Sequence, residues 1–138
     1  MSQILAMDFG SKRTGIAVTD DMQIIASGLT TVATPSLLGF LEDYLKKEKV
    51  ELFLIGEPKQ MDATPSESEK LIGRFLKKLK SKFPDVPVER VDERFTSKMA
   101  VQAMIEGGVK KKKRQSKELI DEISATLILQ SYLYSKKD

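Results

Sequence analysis

The order of the apolar runs constrains this chain more than any other feature. Ile4–Met7, Ile16–Thr19 and Ile24–Val32 read as three strands separated by short turns. Short connections of this kind join antiparallel neighbours. Beyond them the period changes. Leu37, Leu38, Leu41 and Leu45 recur at helical spacing behind Thr34-Pro35, with Thr as N-cap and Pro in the first turn. Val50–Ile55 is a buried-type strand ending at Gly56. Thr64-Pro65-Ser66-Glu67 opens a second helix whose apolar face holds Leu71, Ile72, Phe75, Leu76, Leu79 and Phe83. Val86–Val91 is a further strand. Thr96-Ser97 caps a helix that stops at Gly107-Gly108, and Ser116 caps a last one over Lys117–Tyr134. The order β-β-β-α-β-α-β-α-α predicts an α/β fold: a mixed five-stranded sheet, antiparallel first and parallel later, with helices on both faces.

No repeat or linker divides the 138 residues, so residues 1–138 are expected to form a single domain. No apolar run approaches the ~20 residues that span a bilayer. The N-terminus lacks a basic segment and a small-residue cleavage site. The expectation is a cytoplasmic protein with no membrane partner.

Composition narrows the chemistry. The chain has no His and no Cys. That excludes a disulfide scaffold, a thiol nucleophile, a histidine base and any cysteine- or histidine-bound metal. Chemistry must run on carboxylates, Lys/Arg, hydroxyls and backbone groups. A metal must be a hard, oxygen-bound ion such as Mg²⁺ or Mn²⁺.

Three places hold acids at the ends or flanks of core elements. Asp8 follows the first strand, before a turn whose Gly10 and Gly15 would let backbone approach a phosphate. Asp8 would equally serve as a turn former. Asp92-Glu93-Arg94 ends a later strand, where a solvated charge cluster is the plain alternative. In the last helix Leu119, Ile120, Ile123 and Leu127 define the expected core stripe. Asp121 falls on its flank beside Ser124, Ala125 and Ile128, either partly buried against the sheet or favouring the helix dipole. Carboxylates that share two hard ions cleave phosphodiesters without histidine.

Together these segments resemble the YqgF (RuvX) family. Asp8-Phe9-Gly10-Ser11-Lys12-Arg13-Thr14-Gly15-Ile16-Ala17 is similar to its opening signature, and Asp92-Glu93-Arg94-Phe95-Thr96-Ser97 to its second. Gly56-Glu57-Pro58 fits its Gly-x-Pro loop, and Lys117–Gln130 its C-terminal helix. The chain departs from the family at Ser124-Ala125, where two alanines are common, and at Asp62-Ala63, where Asp-Gly is common. The resemblance implies an RNase H-like fold and a divalent-metal nuclease, a hydrolase of phosphodiester bonds in structured nucleic acid. Members are described as candidate Holliday-junction resolvases and as nucleases that process the 5′ end of pre-16S rRNA. It also implies an acidic triad at Asp8, Glu93 and Asp121, which would hold Mg²⁺ or Mn²⁺. Glu93 is chosen over Asp92 on family grounds; adjacent strand residues face opposite ways, so one of the two is expected to join the site.

The cations point the same way. Lys12, Arg13 and Arg94 adjoin the acids in sequence, to hold phosphate or to pair with the acids themselves. Lys110, Lys111, Lys112, Lys113 and Arg114 form a run that suits phosphate contacts or a solvated loop. Lys70, Arg74, Lys77, Lys78, Lys80 and Lys82 make the second helix basic on its outer face, for solubility or for nucleic acid. Few aromatics are placed to stack bases. The expected partner is structured RNA or branched DNA, with rRNA processing placed ahead of junction cleavage. Paired cuts in a junction would favour a two-fold dimer, but monomer and homodimer stay open. A binding protein without catalysis is the second class. A sugar-kinase or actin-like protein is a third, disfavoured because it needs a further domain.

Overall fold

In the computed structural model, residues 2–57, 68–92 and 117–136 are described. Five strands form one sheet: β1 (Gln3–Phe9), β2 (Arg13–Thr19), β3 (Ala26–Ala33), β4 (Val50–Glu57) and β5 (Val88–Asp92). Their order is β3-β2-β1-β4-β5. β2 is antiparallel to both β1 and β3, whereas β4 runs parallel to β1 and to β5. The expected mixed sheet is present, and β1 stands at its centre.

Strand alternation sorts the core into two layers. Leu5, Met7, Ile16, Val18, Phe53 and Ile55 face α1 (Leu37–Lys47) and α2 (Ser68–Lys82), where they meet Leu37, Leu41, Ile72, Phe75 and Leu79. Ile4, Ala6, Ala17, Leu52 and Leu54 face α3 (Lys117–Lys136), where they meet Ala125, Ile128 and Leu129. Helices therefore cover both faces. α1 and α2 are also tied by Lys82 Nζ and Glu42 Oε2 at 2.9 Å, and this pair holds the exposed Glu42 carboxyl below its ordinary value. Tyr44 of α1 donates its hydroxyl to Gln3 Oε1 at 2.6 Å, and burial raises its pKa.

Several boundaries differ from expectation, each for a local reason. β3 begins at Ala26 rather than Ile24, because Asp20 Oδ1 accepts from the amides of both Ile24 and Ile25 at 2.8 Å. Those two bonds close the β2–β3 turn and lower the pKa of Asp20. Gln23, at φ 57°, completes that turn in left-handed conformation. Thr34 does not cap a helix. It begins a short 3₁₀ turn, Thr34–Ser36, with no side-chain cap bond. Its hydroxyl instead donates to Gly10 O at 2.5 Å and lies 2.9 Å from Thr14 Oγ1, tying the β1–β2 turn to the end of β3. β4 runs on to Glu57, past the expected Ile55, and β5 begins at Val88 rather than Val86. Leu71 lies off the core at 40% exposure, although its spacing matched the buried face of α2. The expected start of that helix at Thr64-Pro65 and the whole of the helix expected after Thr96-Ser97 lie outside the described residues.

Candidate active site

Asp8 lies inside β1 rather than after it, one residue from the strand's end. It shares the α3 face with Ile4 and Ala6 by alternation, and its cross-strand partner is Gly15 of β2. Gly15 is the hinge of the arrangement. A Cβ built on it would stand 2.0 Å from the Asp121 carbonyl oxygen and 2.8 Å from the Glu122 nitrogen. The backbone of α3 therefore rests directly on this glycine. Asp8 and Asp121 are both neighbours of one residue, from opposite ends of the chain. The bare backbone at Gly15 admits α3, a role that its place in a turn-like sequence did not suggest.

The helix reaches the sheet at Gly15 because its inner face is small there, at Ser124 and Ala125. Ser124, Ala125, Ile128 and Leu129 are buried, whereas Ile123 and Leu127 are half-buried. This corrects the expected stripe through Ile123 and Leu127; the side chains of Leu119 and Ile120 lie outside the described set. Hydrophobic size picks the wrong stripe here, since close approach to Gly15 and Ala17 needs small residues. Asp121 consequently continues the inner stripe toward the N-terminus of α3 instead of flanking it. Its carboxylate is three-quarters buried and accepts a hydrogen bond from Arg13 Nε at 3.1 Å. Of the two roles open to Arg13, the structure displays pairing with an acid. With both side chains partly exposed, the pair is worth about 0.2–1 kcal/mol, so its main effect is to orient the carboxylate.

Lys12 is exposed on the β1–β2 turn at the same end of the sheet. Asp92 is the last residue of β5 and pairs in register with Glu57. Glu93, Arg94, Lys110, Lys111, Lys112, Lys113 and Arg114 lie outside the described residues. Among the described residues no three acids gather at metal-binding distance. Two carboxylates, Asp8 and Asp121, do share one face at the open end of the parallel strands, where sheets of this class place their sites. As a donor set they suit a hard divalent ion, and the chain offers no thiolate or imidazole ligand.

The sheet order, antiparallel and then parallel, with helices on both faces defines a class, the RNase H-like fold shared with RuvC. A solved structure described as T. thermophilus RuvC in complex with Holliday junction substrate matches with a TM-score of 0.58 at 18% identity, covering 99% of this chain and 96% of that one. The fowlpox virus Holliday junction resolvase matches with a TM-score of 0.53 at 16% identity, covering 96% of this chain and 99% of that one. The chain belongs to the RuvX family, described as Holliday junction resolvase, whose profile matches residues 2–135. A candidate pre-16S rRNA nuclease of Christiangramia forsetii is 68% identical over 134 residues, 97% of this chain and 99% of that protein. Its counterpart in Flavobacterium psychrophilum is 63% identical over 136 residues, 99% of each chain. The family and the fold expected from the sequence are both present, and the family is one of nucleases, hydrolases of phosphodiester bonds.

Proposed function

We propose that this protein is a divalent-metal-dependent endonuclease that trims the 5′ end of pre-16S rRNA in the cytoplasm. The observation that carries the reading is the meeting of Asp8 and Asp121 at Gly15, in a chain whose relatives are named for that reaction. Asp8, Glu93 and Asp121 would hold Mg²⁺ or Mn²⁺. Glu93 is proposed over Asp92 as the third acid on the likeness of Asp92-Glu93-Arg94 to the family's second signature. When bound, such ions activate the attacking water and stabilise the phosphoryl and leaving oxygens.

The chain's own residues do the positioning. Gly15 sets the distance between helix and sheet. Arg13 fixes the orientation of the Asp121 carboxylate and offsets part of its charge. Lys12, Arg94 and Lys110–Arg114 supply cations for the phosphates on either side of the scissile bond. None of these roles needs a histidine, in keeping with the composition.

The test is cleavage of a 16S precursor and of a four-way junction, each with Mg²⁺, Mn²⁺ or EDTA. The expected result is metal-dependent cleavage of the precursor, reduced about 100-fold or more in Asp8→Asn. Cleavage that persists in EDTA, or at full rate in Asp8→Asn, overturns the metal mechanism. The second reading, junction resolution, is favoured by the family description and by the RuvC likeness. It gains the ground if paired cuts appear in the junction while the precursor stays intact, and it calls for a two-fold dimer by sedimentation.

A further inference from the structure

β1 ends in two residues that look in opposite directions. Asp8 faces α3. Phe9, the next residue, packs with the other core layer, and its ring lies 5.0 Å from that of Phe75 in α2. Beside this ring pair opens a cavity of about 350 Å³ between the β1–β2 turn, the 3₁₀ turn and α2. Its apolar floor is made by Phe9, Leu38, Leu71 and Phe75. Its volume is in the range of small-ligand sites.

The wall is basic. Arg74 and Lys78 both line the cavity, four residues apart and so on one side of α2. No acid lines it. Among the described residues the α2 cation with an acid partner is Lys82, which meets Glu42 of α1. Two like charges at this spacing repel each other, and nothing described nearby offsets them. Leu71, 40% exposed, leaves apolar surface open at the same place. Flat apolar surface under a pair of cations is complementary to a ligand with a planar apolar body and an anionic group.

We propose that this cavity is a nucleotide subsite, with a base against Phe9 and Leu71 and its phosphate on Arg74 and Lys78. Location favours a nucleotide over other anions of that shape. Consecutive Cα atoms lie about 3.8 Å apart, so the cavity floor begins one residue from Asp8. Ser11, on the turn that also carries Lys12, lines the rim between the two places. A strand whose phosphate sits at Asp8 would pass over this edge. Only the source of the nucleotide rests on the nuclease reading: a nucleotide of the substrate strand in that case, a free nucleotide otherwise.

The experiment uses the full-length protein in EDTA, so that no cleavage intervenes. It is titrated with a nucleoside 5′-monophosphate, with inorganic phosphate and with a short single-stranded oligonucleotide. Methyl NMR shifts of Leu38 and Leu71 report on the cavity. The expected result is saturable movement of both with a nucleotide ligand, and binding of inorganic phosphate at least about tenfold weaker. The exposed double change Arg74→Gln/Lys78→Gln should weaken nucleotide binding by about tenfold or more at an unchanged Tm. Tighter binding of the oligonucleotide than of the monophosphate assigns the subsite to the substrate strand; equal binding assigns it to a free nucleotide. Still methyl signals, wild-type affinity in the double variant, or inorganic phosphate binding as well as the nucleotide each overturn the proposal. A protein that cleaves no nucleic acid with Mg²⁺ or Mn²⁺ but shows these shifts keeps the subsite and loses the nuclease reading. One that cleaves while both methyl signals stay still loses the subsite alone.

Discussion

On the side that carries α1 and α2, β1 and β2 present Leu5, Met7, Ile16 and Val18; on the side that carries α3 the same two strands present Ile4, Ala6, Gly15 and Ala17, with Leu52 and Leu54 beside them on β4. Large side chains hold the first pair of helices at a distance filled with hydrocarbon. Small ones let the third rest its backbone on the strands. The first arrangement buries apolar area and so supplies stability. The second sets the backbone of the last helix at Asp121 against Gly15, the cross-strand partner of Asp8. Hydrocarbon packing and the proposed chemistry thus fall on opposite sides of one sheet.

The two sides should break differently. The largest effect on stability is expected on the hydrocarbon side. Phe53 is fully buried, and Phe53→Ala should cost about 3–5 kcal/mol in urea unfolding through the cavity it leaves. The surviving folded fraction should keep its specific activity, because Asp8 and Asp121 lie on the other face. Gly15→Ala comes next. The new methyl meets backbone rather than a movable side chain, so the cost should approach the upper end of the ~1–3 kcal/mol typical of overpacking. Here activity should fall by about 100-fold, since α3 moves and Asp121 moves with it. Gly28→Ala is its control. The methyl there would meet the Glu122 side chain, at 2.8 Å from its Cγ, rather than backbone, so the side chain must shift but α3 need not; stability should fall less than in Gly15→Ala and activity should stay near wild type. An active Gly15→Ala protein would show that the close approach is not what assembles the acids.

The smallest effect belongs to the turn that joins β2 to β3. Asp20 has its carboxyl pKa lowered by the amides of Ile25 and Ile24. A depressed folded-state pKa means that the stabilisation is present above the ordinary carboxylate range and is lost as pH falls through the lower value. Asp20→Ala should therefore lower Tm slightly at neutral pH, and the gap from wild type should close as the solution is acidified. Scanning calorimetry between pH 7 and pH 2 measures both.

The same contrast explains what could be read from the chain in advance. Runs of large residues announce themselves by period, and all five strands and the three described α-helices were legible from them. What failed to read were places where one polar side chain redirects the backbone. Asp20 withdraws Ile24 and Ile25 from β3, and Thr34 spends its hydroxyl on Gly10 instead of on a helix. The inner face of α3 was missed for a different reason. Ser124 and Ala125 carry little hydropathy, and only their packing on a glycine reveals that they, not Ile123 and Leu127, meet the sheet. Asp8 and Asp121 stood out as acids beside core elements, but no local pattern states that they share Gly15 as a neighbour.

The pairing of Arg13 with Asp121 spans 108 positions. Contacts so distant in sequence close late, after the strands between them have found their order. A ribosome adds about 5–20 residues per second and delivers α3 after all five strands. Every nascent copy therefore passes through a period in which Gly15 is in place and the helix that rests on it is not. That glycine's strand face is open to water until the last described element arrives.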